Sequence, residues 1–135
     1  MADLLELSAR LIDGGIVDEP SNRVTGELSE IAPGLALVEA FSHVVALDTG
    51  DGLVLFDTSS VFFGREVVEA LRGWSSAPVH TVVYTHGHVD HVGGSGAIAV
   101  DADGHGHPRP RVVAHRAVDR RFERYDATNG LNLAI

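Results

Sequence analysis

The sequence contains no cysteine and no lysine. Without cysteine, the chain can form no disulfide and offers no thiolate to a metal ion. Basic charge is scarce as well: the ten basic residues are all arginine, against 19 acidic residues, so the formal net charge is -9. A nucleic-acid or anionic-membrane surface needs a basic patch. The composition therefore predicts neither nucleic acid nor membrane as a partner.

Long apolar runs are also missing. Nothing approaches the roughly 20 apolar residues of a membrane span. The N-terminal residues Met1 to Glu6 are acidic, whereas a secretory signal would begin with basic residues. These features predict a cytoplasmic location. With 135 residues, of which 44% are hydrophobic, the chain is long enough for one domain with its own core, spanning residues 1–135.

Apolar spacing predicts an α/β fold. Early strands are separated by tight turns, which indicates an antiparallel meander, and helices and strands alternate afterwards. The predicted strands are Leu28–Ile31, Leu35–Phe41, His43–Leu47, Leu53–Phe56, Val79–Tyr84 and Arg111–Ala114. The predicted helices are Asp3–Asp13, Val61–Trp74 (with Val61, Val68 and Leu71 facing the core), one beginning near Gly93, and Arg116–Tyr125. Asp101 to Pro110 is predicted to be a loop.

One stretch carries recognisable chemistry: residues Thr85 to Gly94, here called the histidine segment. His86, His88, Asp90 and His91 place four potential metal ligands within six residues, directly after a predicted strand. Extended backbone would point His86 and His88 the same way. Imidazole suits zinc and related metals, and carboxylate oxygen can complete the set of ligands. Two neighbouring metal positions are therefore predicted.

The pattern His-x-His-x-Asp-His resembles the signature of metallo-β-lactamase-fold hydrolases. The upstream strand that ends in Asp57-Thr58 resembles a second motif of that family, and the resemblance covers residues 28 to 100 best. It implies one half of a layered αββα sandwich, the N-terminal portion, with metals at one edge between the halves. Arg111 to Ile135 also resembles the alkyl-sulfatase-like branch.

The resemblance implies a role for each residue. His86 and His88 would bind a first metal, and Asp90 and His91 a second, with zinc expected and iron or manganese as alternatives. Asp90 would also orient the attacking water and is the catalytic candidate. Asp57 would hold the histidine segment by hydrogen bonds without binding metal. Two alternatives stay open: Asp90 could be a helix N-cap, and Asp57 a turn carboxylate that caps the next helix.

The remaining histidines are weaker candidates. His43 and His80 fall in predicted strands and are interpreted as structural. His105 and His107 repeat the spacing of His86 and His88, but they lie in a predicted exposed loop. His115 could line the metal edge. The arginines of the last predicted helix (Arg116, Arg120, Arg121 and Arg124) are interpreted as a solvated face that could instead grip a sulfate or phosphate ester.

Four ligands shared by two metals leave each ion short of the three protein ligands that a catalytic zinc usually has. The family resemblance implies that the rest come from a second half. The expected function is hydrolysis of a small-molecule substrate, an ester, thioester, lactone, amide, or sulfate or phosphate ester, by a metal-bound hydroxide. Activity would need a complementary C-terminal half, and a homo-oligomer is the other expected assembly. The alternatives are a non-catalytic metal-binding or subunit-interaction half-domain and an iron-dependent redox member of the fold.

Overall fold

A computed structural model describes residues 3–132, with side chains through residue 129. Helices and strands follow each other in an order that begins with a helix and a run of four strands, and then alternates. The elements are α1 (Leu4–Asp13), β1 (Leu28–Ala32), β2 (Leu35–Val38), β3 (Val44–Asp48), β4 (Leu53–Phe56), α2 (Gly64–Trp74), β5 (Val79–Val83), α3 (Val89–Val92), α4 (Ser95–Gly104), β6 (Arg111–Val113) and α5 (Val118–Asn132).

The strands form a six-stranded sheet in the order β1-β2-β3-β4-β5-β6. β1 to β4 pair antiparallel, and β4, β5 and β6 pair parallel. The short links explain the change of direction, because tight turns join antiparallel neighbours whereas a parallel neighbour needs a crossover. α2 provides the crossover between β4 and β5, and α4 lies between β5 and β6. The predicted meander and α/β class are confirmed.

One face of the sheet carries the core. Alternate strand residues such as Val38, Val44 and Leu55 are fully buried there and belong to one cluster with Val67 of α2 and Ile98 of α4. α2 and α4 also contact each other. Their packing is reinforced by a partly buried ion pair in which Arg72 Nη2 lies 2.8 Å from Asp101 Oδ2. These two helices therefore form a layer on one face.

The opposite face is covered less completely. Leu47 and Phe56 are each 37% exposed, and they alternate with the buried residues of β3 and β4. α1 lies near this face at the β2 end, where Leu7 and Leu11 line a cavity together with Leu37. Among residues 3–132, no helix is long and apolar enough to cross a membrane.

Several predicted boundaries were wrong. α2 begins at Gly64, so Val61 and Phe62 precede it in a turn and are 69% and 85% exposed. The region from Asp101 was predicted to be a loop, yet α4 continues to Gly104 because Asp101 is tied to Arg72 of α2. α5 runs beyond Tyr125 to Asn132.

The strands on either side of His43 are also shorter than predicted. β2 ends at Val38, where the Ala40 amide donates to the Val38 carbonyl, and β3 starts at Val44. His43 therefore lies between strands rather than within one. Its Nδ1 lies 3.1 Å from the Ala40 carbonyl oxygen, which fits the structural role predicted for it.

Candidate metal centre

The histidine segment begins where the parallel strands β4 and β5 end. Phe56 is in register with Val83, so Asp57 emerges beside Tyr84 and Thr85. The Asp57 amide donates to the Val83 carbonyl at 2.9 Å and extends the pairing by one residue. In parallel sheets the carboxyl ends of strands are where ligands usually bind. The sequence therefore places both motifs at the functional edge of the sheet.

Asp57 holds the first part of the histidine segment. Its Oδ1 accepts a hydrogen bond from the Thr85 amide at 2.8 Å, and its Oδ2 accepts one from the Thr85 hydroxyl at 2.6 Å. Oδ2 also lies 2.7 Å from His91 Nδ1. The Asp57 side chain is 6% exposed, where a carboxylate needs such partners. The helix-cap alternative is wrong, because Phe63 is the N-cap of α2 and has no side-chain cap.

His86 and His88 bring two ring nitrogens together. His86 Nε2 lies 3.1 Å from His88 Nδ1, while His86 Nδ1 lies 2.9 Å from the Thr85 hydroxyl. Two nitrogens bound tetrahedrally at about 2.0–2.1 Å from zinc would be about 3.3 Å apart. The observed separation is close to that value. The separation of this pair is therefore compatible with two ligands of one transition-metal ion.

Asp90 and His91 form a second pair. His91 Nε2 lies 3.5 Å from Asp90 Oδ2, which also suits two ligands of one ion. The His86 and His91 ring centroids are 4.0 Å apart, so the two pairs adjoin. Asp90 is not a helix N-cap, because α3 begins at Val89 and His88 occupies the cap position.

Ser42 fixes Asp90 from a distant part of the chain. Its hydroxyl donates to Asp90 Oδ2 at 2.8 Å. Partial burial acts to raise the pKa of Asp90, but this hydrogen bond, a backbone hydrogen bond and the imidazoles of His91 and His88 outweigh it, so the pKa falls below its ordinary value. Asp90 is therefore ready to bind a cation as a carboxylate. Sequence reasoning missed Ser42, since no local pattern links it to a residue 48 positions away.

A different group of three residues also lies close enough together to bind one metal ion. Ligand atoms of Asp57, His86 and His91 all lie within 4.8 Å of one another. Both oxygens of Asp57 are already engaged by Thr85 and His91. Recruiting Asp57 as a ligand would disrupt the contacts that shape the segment, so we favour the pairs His86–His88 and Asp90–His91.

The far end of the histidine segment is fastened to the turn after β4. The Thr58 amide donates to the His91 carbonyl at 2.7 Å, and the Gly94 amide donates to the Ser59 carbonyl at 3.0 Å. A Cβ at Gly94 would overlap the Thr58 carbonyl oxygen. Glycine is therefore required where α4 approaches this turn.

The other histidines lie in different surroundings. His80 is exposed on β5, and His105 and His107 follow α4 with their rings stacked 5.8 Å apart. Within the described part of the chain, neither His105 nor His107 belongs to a group of three possible ligands. His115 lines a groove with His86 and His88, together with Arg121 of α5. Sequence reasoning had named both His115 and Arg121 but could not place Arg121.

Solved structures share this fold. A metallo-β-lactamase from Cronobacter sakazakii with a HARLDQ motif is 19% identical and has a TM-score of 0.63, with 76% of this chain and 38% of that chain covered. A B3 metallo-β-lactamase described as the first with an active-site glutamic acid is 26% identical, with a TM-score of 0.56 and coverage of 74% and 41%. A double mutant of the sec-alkyl sulfatase PisA1 is 26% identical, with a TM-score of 0.55 and coverage of 70% and 15%.

The chain thus spans at most about two fifths of the length of these relatives. A comparison with curated proteins found no match. The family model of the metallo-beta-lactamase superfamily matches residues 37–125, which is more than half of the chain and includes Asp57 and the whole histidine segment. The chain therefore belongs to the metallo-beta-lactamase superfamily.

Proposed function

We propose that this chain supplies two ligand pairs of a dinuclear zinc hydrolase. His86 and His88 hold one ion, and Asp90 and His91 hold the other. The observation that carries the proposal is the 3.1 Å separation of His86 Nε2 and His88 Nδ1, next to the 3.5 Å separation of His91 Nε2 and Asp90 Oδ2. Bound zinc would supply activated water and polarise the scissile group of the substrate.

The supporting residues position these ligands. Asp57 accepts from His91 Nδ1, which leaves His91 Nε2 as the metal-binding nitrogen and fixes the orientation of the ring. The Thr85 hydroxyl contacts His86 Nδ1, which likewise leaves His86 Nε2 as the metal-binding nitrogen. Ser42 occupies one lone pair of Asp90. As the catalytic candidate, Asp90 would accept a hydrogen bond from the attacking water and orient it.

Two ligands for each ion are too few for a catalytic site. A catalytic zinc usually has three protein ligands and an open position. We infer that further ligands come from a complementary half of the fold or from another subunit, and that hydrolysis requires them. The half-exposed face that carries Leu47 and Phe56 is compatible with such a complementary half or with a homo-oligomer.

The substrate class is proposed from the family and its chemistry: an ester, thioester, lactone, amide, or sulfate or phosphate ester. The 26% identity to the sec-alkyl sulfatase PisA1 supports including sulfate esters. Iron or manganese could replace zinc on the same nitrogen and oxygen ligands. A cytoplasmic location, with neither nucleic acid nor membrane as a partner, stays a prediction.

Calorimetric titration of the metal-free chain with zinc tests the proposal. We expect weak binding that His88→Ala abolishes and His80→Ala, a substitution of an exposed histidine on β5, leaves unchanged. Equal binding by all three proteins would overturn the assignment of ligands. Two tight, saturable sites in the isolated monomer would instead show that no further ligands are needed.

A non-catalytic metal-binding or subunit-interaction half-domain is the second candidate. The presence of only two ligands for each ion among residues 3–132 favours it. A screen with ester, lactone, thioester and sulfate-ester substrates separates the two functions, carried out on the zinc-loaded chain with and without a complementary half. Activity that appears only in the complete assembly supports the hydrolase, whereas a complete assembly with bound zinc and no turnover supports the binding module. Metal analysis together with oxygen consumption would identify an iron-dependent redox protein.

A further inference from the structure

The ten arginines fall into two groups of five. Each arginine up to residue 109 forms an ion pair with a carboxylate: Arg10 with Glu19, Arg23 with Glu39, Arg65 with Glu69, Arg72 with Asp101 and Arg109 with Asp103. Each later arginine lacks a carboxylate partner among the described residues: Arg111, Arg116, Arg120, Arg121 and Arg124. In a chain of net charge -9, residues 111–125 carry these five arginines and only two acidic residues, Asp119 and Glu123.

This positive segment lies beside the histidine segment. β6 pairs with β5, and the Tyr84 amide donates to the Val113 carbonyl at 2.9 Å. The first turn of α5 then packs on Gly87, the residue between His86 and His88. A Cβ added at Gly87 would lie 3.4 Å from both Val118 methyl groups and 3.6 Å from Arg121 Cβ. α5 is therefore in contact with the backbone that carries the proposed ligands.

A groove of about 330 Å³ lies where the two segments meet. Its lining includes His86 and His88 of the histidine segment and His115 and Arg121 of the positive segment. Its size falls within the range of about 300–1,000 Å³ that is usual for small-molecule sites. A molecule bound in the groove would touch the proposed metal ligands and the α5 side chains at the same time.

Arg121, one of the residues that line this groove, is held in place by Tyr125. Its Nε donates to the Tyr125 hydroxyl at 3.1 Å, and its guanidinium carbon lies 5.3 Å from the centre of the Tyr125 ring. Its two terminal nitrogens have no acceptor in the described part of the chain. A guanidinium whose orientation is fixed and whose outer edge is free can form two parallel hydrogen bonds with an oxyanion.

We propose that this groove binds an oxyanion group of the substrate, a carboxylate, sulfate or phosphate, with Arg121 as the binding residue. The exposed arginines on the same helix raise the local positive potential that attracts such a group. This inference rests on the proposed function only in treating the bound anion as part of a hydrolase substrate. It narrows the candidates to substrates that carry negative charge.

The test measures anion binding to the metal-free chain, where no zinc can attract the probe. Benzylsulfonate, benzylphosphonate and phenylacetate are titrated by ¹H–¹⁵N NMR beside benzyl methyl sulfone, a neutral analogue of the sulfonate. We expect saturable shifts at Gly87, Ala117 and Arg121 with at least one anion and none with the sulfone. The anion that binds most tightly indicates which charged group the substrate carries.

Arg121→Gln should weaken binding about tenfold or more, because a hydrogen bond between charged groups is lost. Arg121→Lys retains the charge and the aliphatic contact with Gly87 and should weaken it less. Arg65→Gln is the matched control, since it removes an exposed arginine from α2, and should leave binding unchanged. Circular dichroism verifies that each variant is folded.

Three results would overturn the proposal: equal binding of anions and sulfone, a folded Arg121→Gln protein with undiminished affinity, or single-stranded DNA that binds through Arg121 more tightly than any probe. Zinc calorimetry on the same samples separates this proposal from the proposed function. Zinc binding without anion binding overturns the groove alone. Anion binding without zinc binding overturns the metal centre alone.

Discussion

The chain contains the tripeptide His-Gly-His twice, and the two copies have different structures. In residues 86–88, His86 Nε2 and His88 Nδ1 are 3.1 Å apart and the rings meet edge to face. In residues 105–107 the rings are stacked with centroids 5.8 Å apart. The middle glycines differ as well: Gly87 is buried beneath α5, whereas Gly106 has a φ of 68° and nothing close to its Cβ position.

The spacing of the two histidines is the same in both copies, so the difference comes from the residues that surround each copy. A buried carboxylate stands beside each copy, and the side chains of Asp57 and Asp101 are 6% and 7% exposed. Asp57 directs its oxygens at Thr85 and His91 of the histidine segment. Asp101 is bound through both oxygens by Arg72, and its Oδ1 lies 3.3 Å from His105 Nδ1. The same tripeptide thus belongs to the proposed metal centre in one place and follows the end of a helix in the other.

The largest contrast is expected when one histidine of each copy is removed. His86→Ala deletes a proposed ligand and should lower zinc affinity by more than the roughly 10–100-fold typical for loss of a supporting residue. His105→Ala should leave zinc affinity unchanged. Isothermal calorimetry of both variants gives the answer, and a larger loss in His105→Ala would reverse our assignment of the two copies.

The next largest effect is expected on the free energy of unfolding, when Asp101 beside residues 105–107 is replaced. Asp101→Asn leaves the Arg72 guanidinium without its anionic partner in a mostly buried position. Loss of one partner of a buried pair costs about 3 kcal/mol of unfolding free energy. Urea denaturation of the metal-free protein measures this, with zinc affinity per folded molecule expected to stay the same. A stable variant that binds zinc poorly would contradict the contrast between the two carboxylates.

Asp57→Asn, unlike Asp101→Asn, should change the zinc affinity per folded molecule. That affinity should fall about 10–100-fold, because His91 loses the acceptor that orients its ring. The melting temperature should also fall, because hydrogen bonds of the buried Asp57 to Thr85 and His91 are lost or weakened. Asparagine suits the test because Asp57 has a φ of 61°, and asparagine tolerates the left-handed region better than alanine. If melting collapses while affinity per folded molecule is retained, Asp57 is a structural residue.

The smallest effect compares the two glycines. Gly106→Ala should cost about 1–2 kcal/mol, because alanine is disfavoured in the left-handed region. Gly87 lies outside that region, and a new methyl would meet Val118 at ordinary contact distance, so Gly87→Ala should cost less. Chemical denaturation of both variants ranks them. The reverse order would mean that α5 presses on the histidine segment more tightly than the distances indicate.

Much of the fold follows from local patterns. Alternation and turn residues predicted the six strands, and helical spacing predicted α1, α2 and the start of α4. The errors arose where a distant contact decides the boundary: α4 continues through Asp101 because Arg72 holds that residue from another helix. Val61 and Phe62 fit a helical pattern, yet they lie exposed ahead of α2.

The candidate site divides in the same way. The spacing of His86, His88, Asp90 and His91 can be read directly from six residues, and the strand before Asp57 brings that carboxylate to them. Ser42 and Arg121 have no such signal. Both residues reach the site through tertiary packing. Ser42 lies 48 positions before Asp90 in the sequence, and Arg121 belongs to α5, which follows β6.

The closeness of the ligands in sequence affects how metal influences folding. His86, His88, Asp90 and His91 remain near each other even in the unfolded chain, so unfolded protein can also bind zinc. Only the difference in zinc affinity between folded and unfolded states stabilises the fold. Asp57 and Ser42, which lie 34 and 48 residues from the groups they hold, orient ligands only after folding. The rise in melting temperature on adding zinc therefore measures how well these two distant residues prearrange the ligands, rather than how tightly zinc is bound.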